Sequence, residues 1–212
     1  MTGGRYYTEL AAAFVRGKLA DAAGLSDEDA INAGKLAGLR LHKFKRNAEL
    51  PRVRRVLGAL SSIAPSTLLD IGSGRGAFLW ALMNRFPQLI VTAIDIKPVR
   101  VLDFEAVKRG GVQRLSAALM DGGSLGFATG SFDVVTILEV LEHMPNPQSA
   151  IREAVRTSRQ FVLGSMPSKV DDNPEHIHLF DEKRARDAFT DAGASKVVIE
   201  YVPNHLIILA RT

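Results

Sequence analysis

The run Leu68-Leu69-Asp70-Ile71-Gly72-Ser73-Gly74-Arg75-Gly76 constrains this chain more than any other stretch. It reads as a buried strand, an acidic residue, three glycines at alternate positions and the start of a helix. Glycine permits a sharp turn with positive φ and lets a ligand lie against bare main chain. A strand feeding a helix through such a loop sets free N–H groups and the positive helix end beside an anion. The run predicts a nucleotide-type cofactor at the carboxyl end of the first strand of an α/β sheet.

The text that follows the loop fits such a sheet. Strand-like runs cover Thr67–Ile71, Ile90–Asp95, Val112–Ala117, Phe132–Leu138, Gln160–Ser165, Lys196–Tyr201 and His205–Ala210. Helical runs fall between many of them, at Ala77–Phe86, Val99–Arg109, Pro147–Thr157 and Glu182–Ala192. Continuous apolar strands alternating with helices predict a parallel sheet covered on both faces. The end differs: Val197–Tyr201, then Pro203-Asn204, then Leu206–Leu209 reads as a hairpin, so the last strand must run antiparallel. Residues 1–60 read as a helical N-terminal cap on a cofactor-binding domain spanning 61–212. In the cap, Ser26 before three acidic residues is an N-cap, and Pro51 opens a helix with Val53, Val56, Leu57 and Leu60 on one face.

Composition narrows the class of protein. The 212 residues hold no cysteine, which removes disulfides, thiolate metal sites and a cysteine nucleophile, and is compatible with a cytoplasmic location. No apolar run of membrane-spanning length is present, so no membrane partner is expected. Charge is uneven: residues 1–55 hold eleven Lys and Arg against six Asp and Glu, and the remainder sixteen against seventeen. The excess gathers in Arg40, Lys43, Lys45, Arg46, Arg52, Arg54 and Arg55. Few aromatics interleave with these charges, as a stacking surface for nucleic acid would need, so solvated helix faces are the simpler reading.

A nucleoside cofactor also needs an acid at the end of the second strand to accept from ribose hydroxyls. Asp95 supplies it, nineteen residues after Gly76. Asp-x-Gly-x-Gly-x-Gly resembles motif I of the class I S-adenosylmethionine (SAM)-dependent methyltransferases. Met120-Asp121 followed by Gly130-Ser131-Phe132-Asp133-Val134-Val135 resembles that family's link from the third strand into the fourth. Glu139-Val140-Leu141-Glu142-His143-Met144-Pro145-Asn146-Pro147 resembles its motif after the fourth strand. The terminal hairpin resembles its antiparallel seventh strand, inserted between the fifth and sixth. The resemblance implies a Rossmann-like sheet of seven strands in the order 3-2-1-4-5-7-6, with helices on both faces.

By the same resemblance SAM is the cofactor. Gly72, Ser73 and Gly74 would pack on its methionine and ribose parts, and Asp70 would orient the loop or meet the ammonium. Asp95 would hold the ribose diol, and Ile96 would flank the adenine. Asp121 would accept from the adenine amine, with Met120 and Gly122 beside it, and Leu138 and Glu139 would line the methionine end. The expected activity is methyl transfer to an oxygen or nitrogen of a small molecule.

Where the nucleophile carries a proton, His143, His176 and His178 are the candidate bases. The cap is expected to close over the cofactor, with Arg5, Tyr6, Tyr7, Arg40, His42 and Lys43 as candidates to touch SAM or substrate. Two alternatives stand beside this reading. One is RNA methylation through the basic 40–55 segment, in a metal-assisted form resembling the small-RNA 2′-O-methyltransferases, with Glu139, Glu142, His143 and His176 or His178 around a divalent cation. The other is a SAM-binding protein without turnover.

Overall fold

A computed structural model describes residues 3–45, 47–170 and 172–212 of the chain. Arg46 of the basic run, and Met1 and Thr2 at the start, lie outside the described residues. Three helices come first: α1 (Gly3–Lys18), α2 (Asp27–Leu36) and α3 (Pro51–Ile63). The alternating part follows as β1 (Thr67–Ile71), α4 (Ala77–Arg85), β2 (Ile90–Asp95), α5 (Pro98–Arg109), β3 (Leu115–Leu119) and β4 (Phe132–Leu138). Then come α6 (Pro147–Thr157), β5 (Ser158–Pro167), α7 (Glu182–Asp191), β6 (Lys196–Val202) and β7 (His205–Arg211).

The seven strands form one sheet in the order β3-β2-β1-β4-β5-β7-β6. Pairing is parallel from β3 through β5, and β7 runs antiparallel to both of its neighbours. Period-two alternation divides each strand between two cores. Along β1, Leu68 enters a core shared with α1, α3, α4 and α5, and Leu69 and Ile71 enter one shared with α6 and α7. Both faces are thereby covered, as continuous apolar strands require.

Local signals mark the element ends. Ser26 accepts from the backbone N–H of Asp29 at the start of α2, and Pro51 is the first residue of α3. The third strand departs from its sequence reading by three residues. Backbone bonds from Val112 to Val107 and from Leu115 to Val112 keep residues 112–114 in a turn, so pairing begins with Leu115 opposite Val91.

Among the described residues, those of the N-terminal helices pack on one face of the sheet, and none lines the cavity at the carboxyl ends of the strands. The segment's apolar stripe finds a larger partner on the sheet face, where Phe14, Phe44, Trp80 and Phe104 stack in series with ring centroids 5.1, 5.5 and 5.5 Å apart. Tyr6 lies in a groove with Gln113 and Arg114 at the amino end of β3, and Arg5 pairs with Glu9 on the surface. Lys43 pairs with Asp103 and sits over the Phe14 ring at 3.9 Å. Arg40 and His42 are exposed.

Candidate functional site

The site begins where β1 and β2 end. Gly72, Gly74 and Gly76 have φ of 70°, 57° and 82°, a region open to glycine and costly for residues with a Cβ. At Gly72 an added Cβ would lie 2.5 Å from Val140 Cγ2. The backbone N–H groups of Gly72 and Ser73 both donate to the carbonyl of Ile94, at 2.9 and 3.1 Å. Asp95 completes the tie between the two strand ends: its Oδ2 accepts from Gly74 N–H and its Oδ1 from Lys97 N–H, each at 2.9 Å. A carboxylate offers about four lone-pair directions, so Asp95 keeps acceptor capacity for a ligand while it holds the loop.

Asp70 sits beneath the loop rather than in it. It is buried, accepts from Thr136 Oγ1 at 2.6 Å, and lies at the base of the loop, where the Ser73 hydroxyl reaches its carbonyl. Burial pushes its carboxyl up to about 6, against the lowering effect of hydrogen bonds from Thr136 and Ser73.

A cavity of about 560 Å³ opens over these strand ends. Gly72, Asp95, Ile96, Met120, Asp121, Gly122, Glu139 and His143 of the sequence-derived set line it, and Val140, Met144 and Pro145 add apolar wall. Asp70, Ser73, Gly74 and Leu138 stand behind it and do not line it. Asp121 is exposed, and its Oδ1 accepts from Gly123 N–H at 2.8 Å. The Met120 N–H donates to the carbonyl of Asp95 at 3.2 Å, which joins the second wall to the first.

Glu139 is the most constrained residue of the rim. Its φ is 56°, in the left-handed region where a non-glycine residue stores strain. Its N–H donates to the carbonyl of Ser165 at 2.8 Å, and its Oε1 accepts from Ser165 Oγ at 2.6 Å. Its Oε2 lies 2.9 Å from His205 Nε2 and 3.7 Å from Arg52 Nε. Through Arg52 the N-terminal segment reaches the site.

The histidines separate. His143 Nδ1 donates to the carbonyl of Glu175 at 2.9 Å, and its ring packs edge-on to His176 at 4.7 Å. The carbonyl of Glu142 accepts from the backbone N–H groups of Ile177 and His178, at 2.9 and 3.2 Å, so the loops after β4 and β5 are sewn together. His178 turns toward α7, with Nδ1 3.4 Å from an Arg184 nitrogen, and does not line this cavity. The carboxylate of Glu142 and the rings of His143 and His176 bring possible ligand atoms within 4.8 Å of one another. Glu139 and His178, the outer members of the cation set read from the sequence, are not in that cluster.

Sequence reasoning missed Arg52, Ser165 and His205 as neighbours of Glu139. No local motif marks them. His205 reaches the site because β7 inserts beside β5, setting His205 opposite Pro167, while β5 sets Ser165 opposite Leu138. The sheet order was the one signal available, and it had to be followed across two strands.

Residues 69–160 match the methyltransferase domain family. The chain is 42% identical over 89 residues to nocamycin O-methyltransferase of Saccharothrix syringae, covering 41% of this chain and 31% of that protein. It is 32% identical over 123 residues to a tRNA U34 carboxymethyltransferase of Shewanella pealeana, covering 56% and 37%. The chain thus spans about a third of the length of these curated relatives. The fold is shared with a Burkholderia thailandensis 1,6-didemethyltoxoflavin-N1-methyltransferase solved with 1,6-didemethyltoxoflavin and S-adenosylhomocysteine bound. The TM-score is 0.62 at 19% identity, covering 78% of this chain and 80% of that one.

Proposed function

We propose, for a chain that carries the methyltransferase domain over residues 69–160 and the Rossmann-like fold of the class I SAM-dependent methyltransferases, that it binds SAM in the cavity at the ends of β1, β2 and β4 and transfers its methyl group to an oxygen or nitrogen of a small molecule. The observation that carries the reading is the pairing in one cavity of two carboxylates, Asp95 and Asp121, with the apolar walls of Ile96, Met120, Val140 and Met144. That set matches a ligand with a hydroxyl-bearing sugar, an amine-bearing flat ring and an apolar arm.

Bound SAM would supply an already activated methyl on a sulfonium. The chain's work is then to hold and aim, and orientation can supply most of the rate. Asp95 accepts from the ribose diol, and Ile96 and Asp121 bound the adenine. Glu139, fixed by Ser165, His205 and Arg52, closes the methionine end. His143 is the histidine of the cofactor cavity and the first candidate for a base. A cytoplasmic location belongs to the same reading.

The test is calorimetry with SAM and with S-adenosylhomocysteine. Asp95→Ala weakens both by roughly 1–3 kcal/mol, since two hydroxyls lose a charged acceptor. Unchanged affinity in that variant counts against the assignment. Methyl transfer to a member of a small-molecule panel separates an enzyme from a SAM-binding protein without turnover.

Likeness to a tRNA-modifying relative favours a second reading, RNA as the acceptor. Against it, three of the basic residues from the 40–55 segment are engaged inside the molecule: Lys43 with Asp103, Arg52 with Glu139 and Arg55 with Glu200. A salt-sensitive gel shift with RNA would restore it. Loss of activity with a chelator would point to a cation at Glu142, His143 and His176.

A further inference from the structure

A second cavity, of about 390 Å³, adjoins the first. Glu139 lines both, and the edge-on rings of His143 and His176 lie one in each: His143 lines the first cavity and His176 the second. The second is enclosed by the end of β5 and the start of β7, with Pro167 and Val170 as apolar wall and Lys169 and His205 as polar wall.

Among the described residues, the charged side chains that line this cavity are Glu139 and Lys169. Glu139 is the one carboxylate among its lining residues, and Ser165, His205 and Arg52 already hold it. His205 carries acceptors at both ring nitrogens: Nδ1 is 3.0 Å from the carbonyl of Pro203, and Nε2 is 2.9 Å from Glu139 Oε2. Both contacts hold the ring in place beside Glu139. Lys169 is exposed and makes no ion pair among the described residues. Lys169, with Arg52 behind it, therefore faces a single carboxylate that Ser165, His205 and Arg52 already hold. A concave wall of one sign concentrates ligands of the other.

The geometry points to this second cavity as the acceptor subsite for a small molecule that carries a carboxylate. Lys169 holds the anion within the field of Arg52, and Pro167 and Val170 cover the apolar body. Glu139 stands between this acid and the first cavity. The placement as an acceptor rests on the reading that the first cavity holds SAM; the affinity for an acid does not.

The experiment is calorimetry on the full chain with benzoate, phenylacetate and succinate against benzamide and phenylacetamide, with and without saturating S-adenosylhomocysteine. At least one acid should bind, and its amide should bind about tenfold more weakly, the effect of losing one charge-assisted contact. Lys169→Ala should weaken the acid by about tenfold, and Lys169→Glu by more, while Lys169→Ala leaves S-adenosylhomocysteine affinity within about twofold. Equal binding of acid and amide, no acid binding up to about 10 mM, or an unaffected Lys169→Glu variant overturns the assignment. Tighter binding of phenyl phosphate than of every carboxylate overturns the carboxylate as the anion. S-adenosylhomocysteine titrated alone is read separately: its failure to bind strikes the SAM reading and leaves the acid titration to judge the subsite.

Discussion

Asp70 shows how one residue of a motif can serve the fold and the site by different means. Its position in the sequence suggests contact with the cofactor, yet the carboxyl is buried on Thr136 under the glycine loop. A buried carboxyl held up to about 6, against 3.8 when free, binds its proton more tightly folded than unfolded. The stability gained from the protonated form is therefore complete below about pH 4 and is lost as pH rises through about 6. Asp70→Asn should stabilise the protein at pH 8 by up to about 3 kcal/mol and give no gain at pH 4. Denaturant unfolding at the two pH values measures this, and an equal difference at both would contradict the buried, raised carboxyl. Gly72 makes a second prediction at this scale. Gly72→Ala places a methyl against Val140 at a φ of 70°, and should cost roughly 1–3 kcal/mol and lower affinity for S-adenosylhomocysteine. Adding Val140→Ala should recover the part owed to the clash and leave the part owed to φ, a division that a double-mutant cycle resolves.

At the scale of elements, α1 and α5 approach until backbone meets backbone. A Cβ added at Gly17 would lie 1.8 Å from the carbonyl oxygen of Ala106, and one at Gly110 would lie 1.7 Å from that of Ala13. Two glycines, Gly17 within α1 and Gly110 just after α5, thus face the partner's main chain about one helical turn apart. Neither neighbour is a side chain that can turn away, so the helices must part. Gly17→Ala or Gly110→Ala should therefore destabilise by about 1–3 kcal/mol or more, seen as a lower thermal midpoint. Gly4→Ala, with open space around it, is the control and should be close to neutral. The sequence announces α1, α2 and α3 through apolar spacing, the Ser26 cap and Pro51, because those signals act within one or two turns. It does not announce that Gly17 and Gly110 are a matched pair, since their partners lie about ninety residues away and closeness of backbones leaves no local trace.

Across the whole molecule, one core joins what the sequence divides at residue 60. Tyr7, Leu10 and Phe14 of α1 and Val56 and Leu60 of α3 share a cluster with Trp80, Phe104, Val91 and Val134 of the sheet and its helices. A chain starting at residue 61 would expose those partners, and we expect it to lose cooperative unfolding, whereas the full chain should melt in a single transition by both far-UV and near-UV circular dichroism. The sequence by itself determined the alternating sheet, the antiparallel end and the glycine loop. It also singled out half of the residues lining the first cavity: Gly72, Asp95, Ile96, Met120, Asp121, Gly122 and Glu139. These features are local in the chain, where hydrophobic period, turn chemistry and motif spacing act over a few residues. Only the tertiary structure decided which faces the N-terminal helices cover, and that His205, Ser165 and Arg52 close on Glu139 while His178 turns to α7. Those contacts depend on which strands become neighbours, and insertion of β7 beside β5 joins residues whose separation along the chain carries no period or spacing to read.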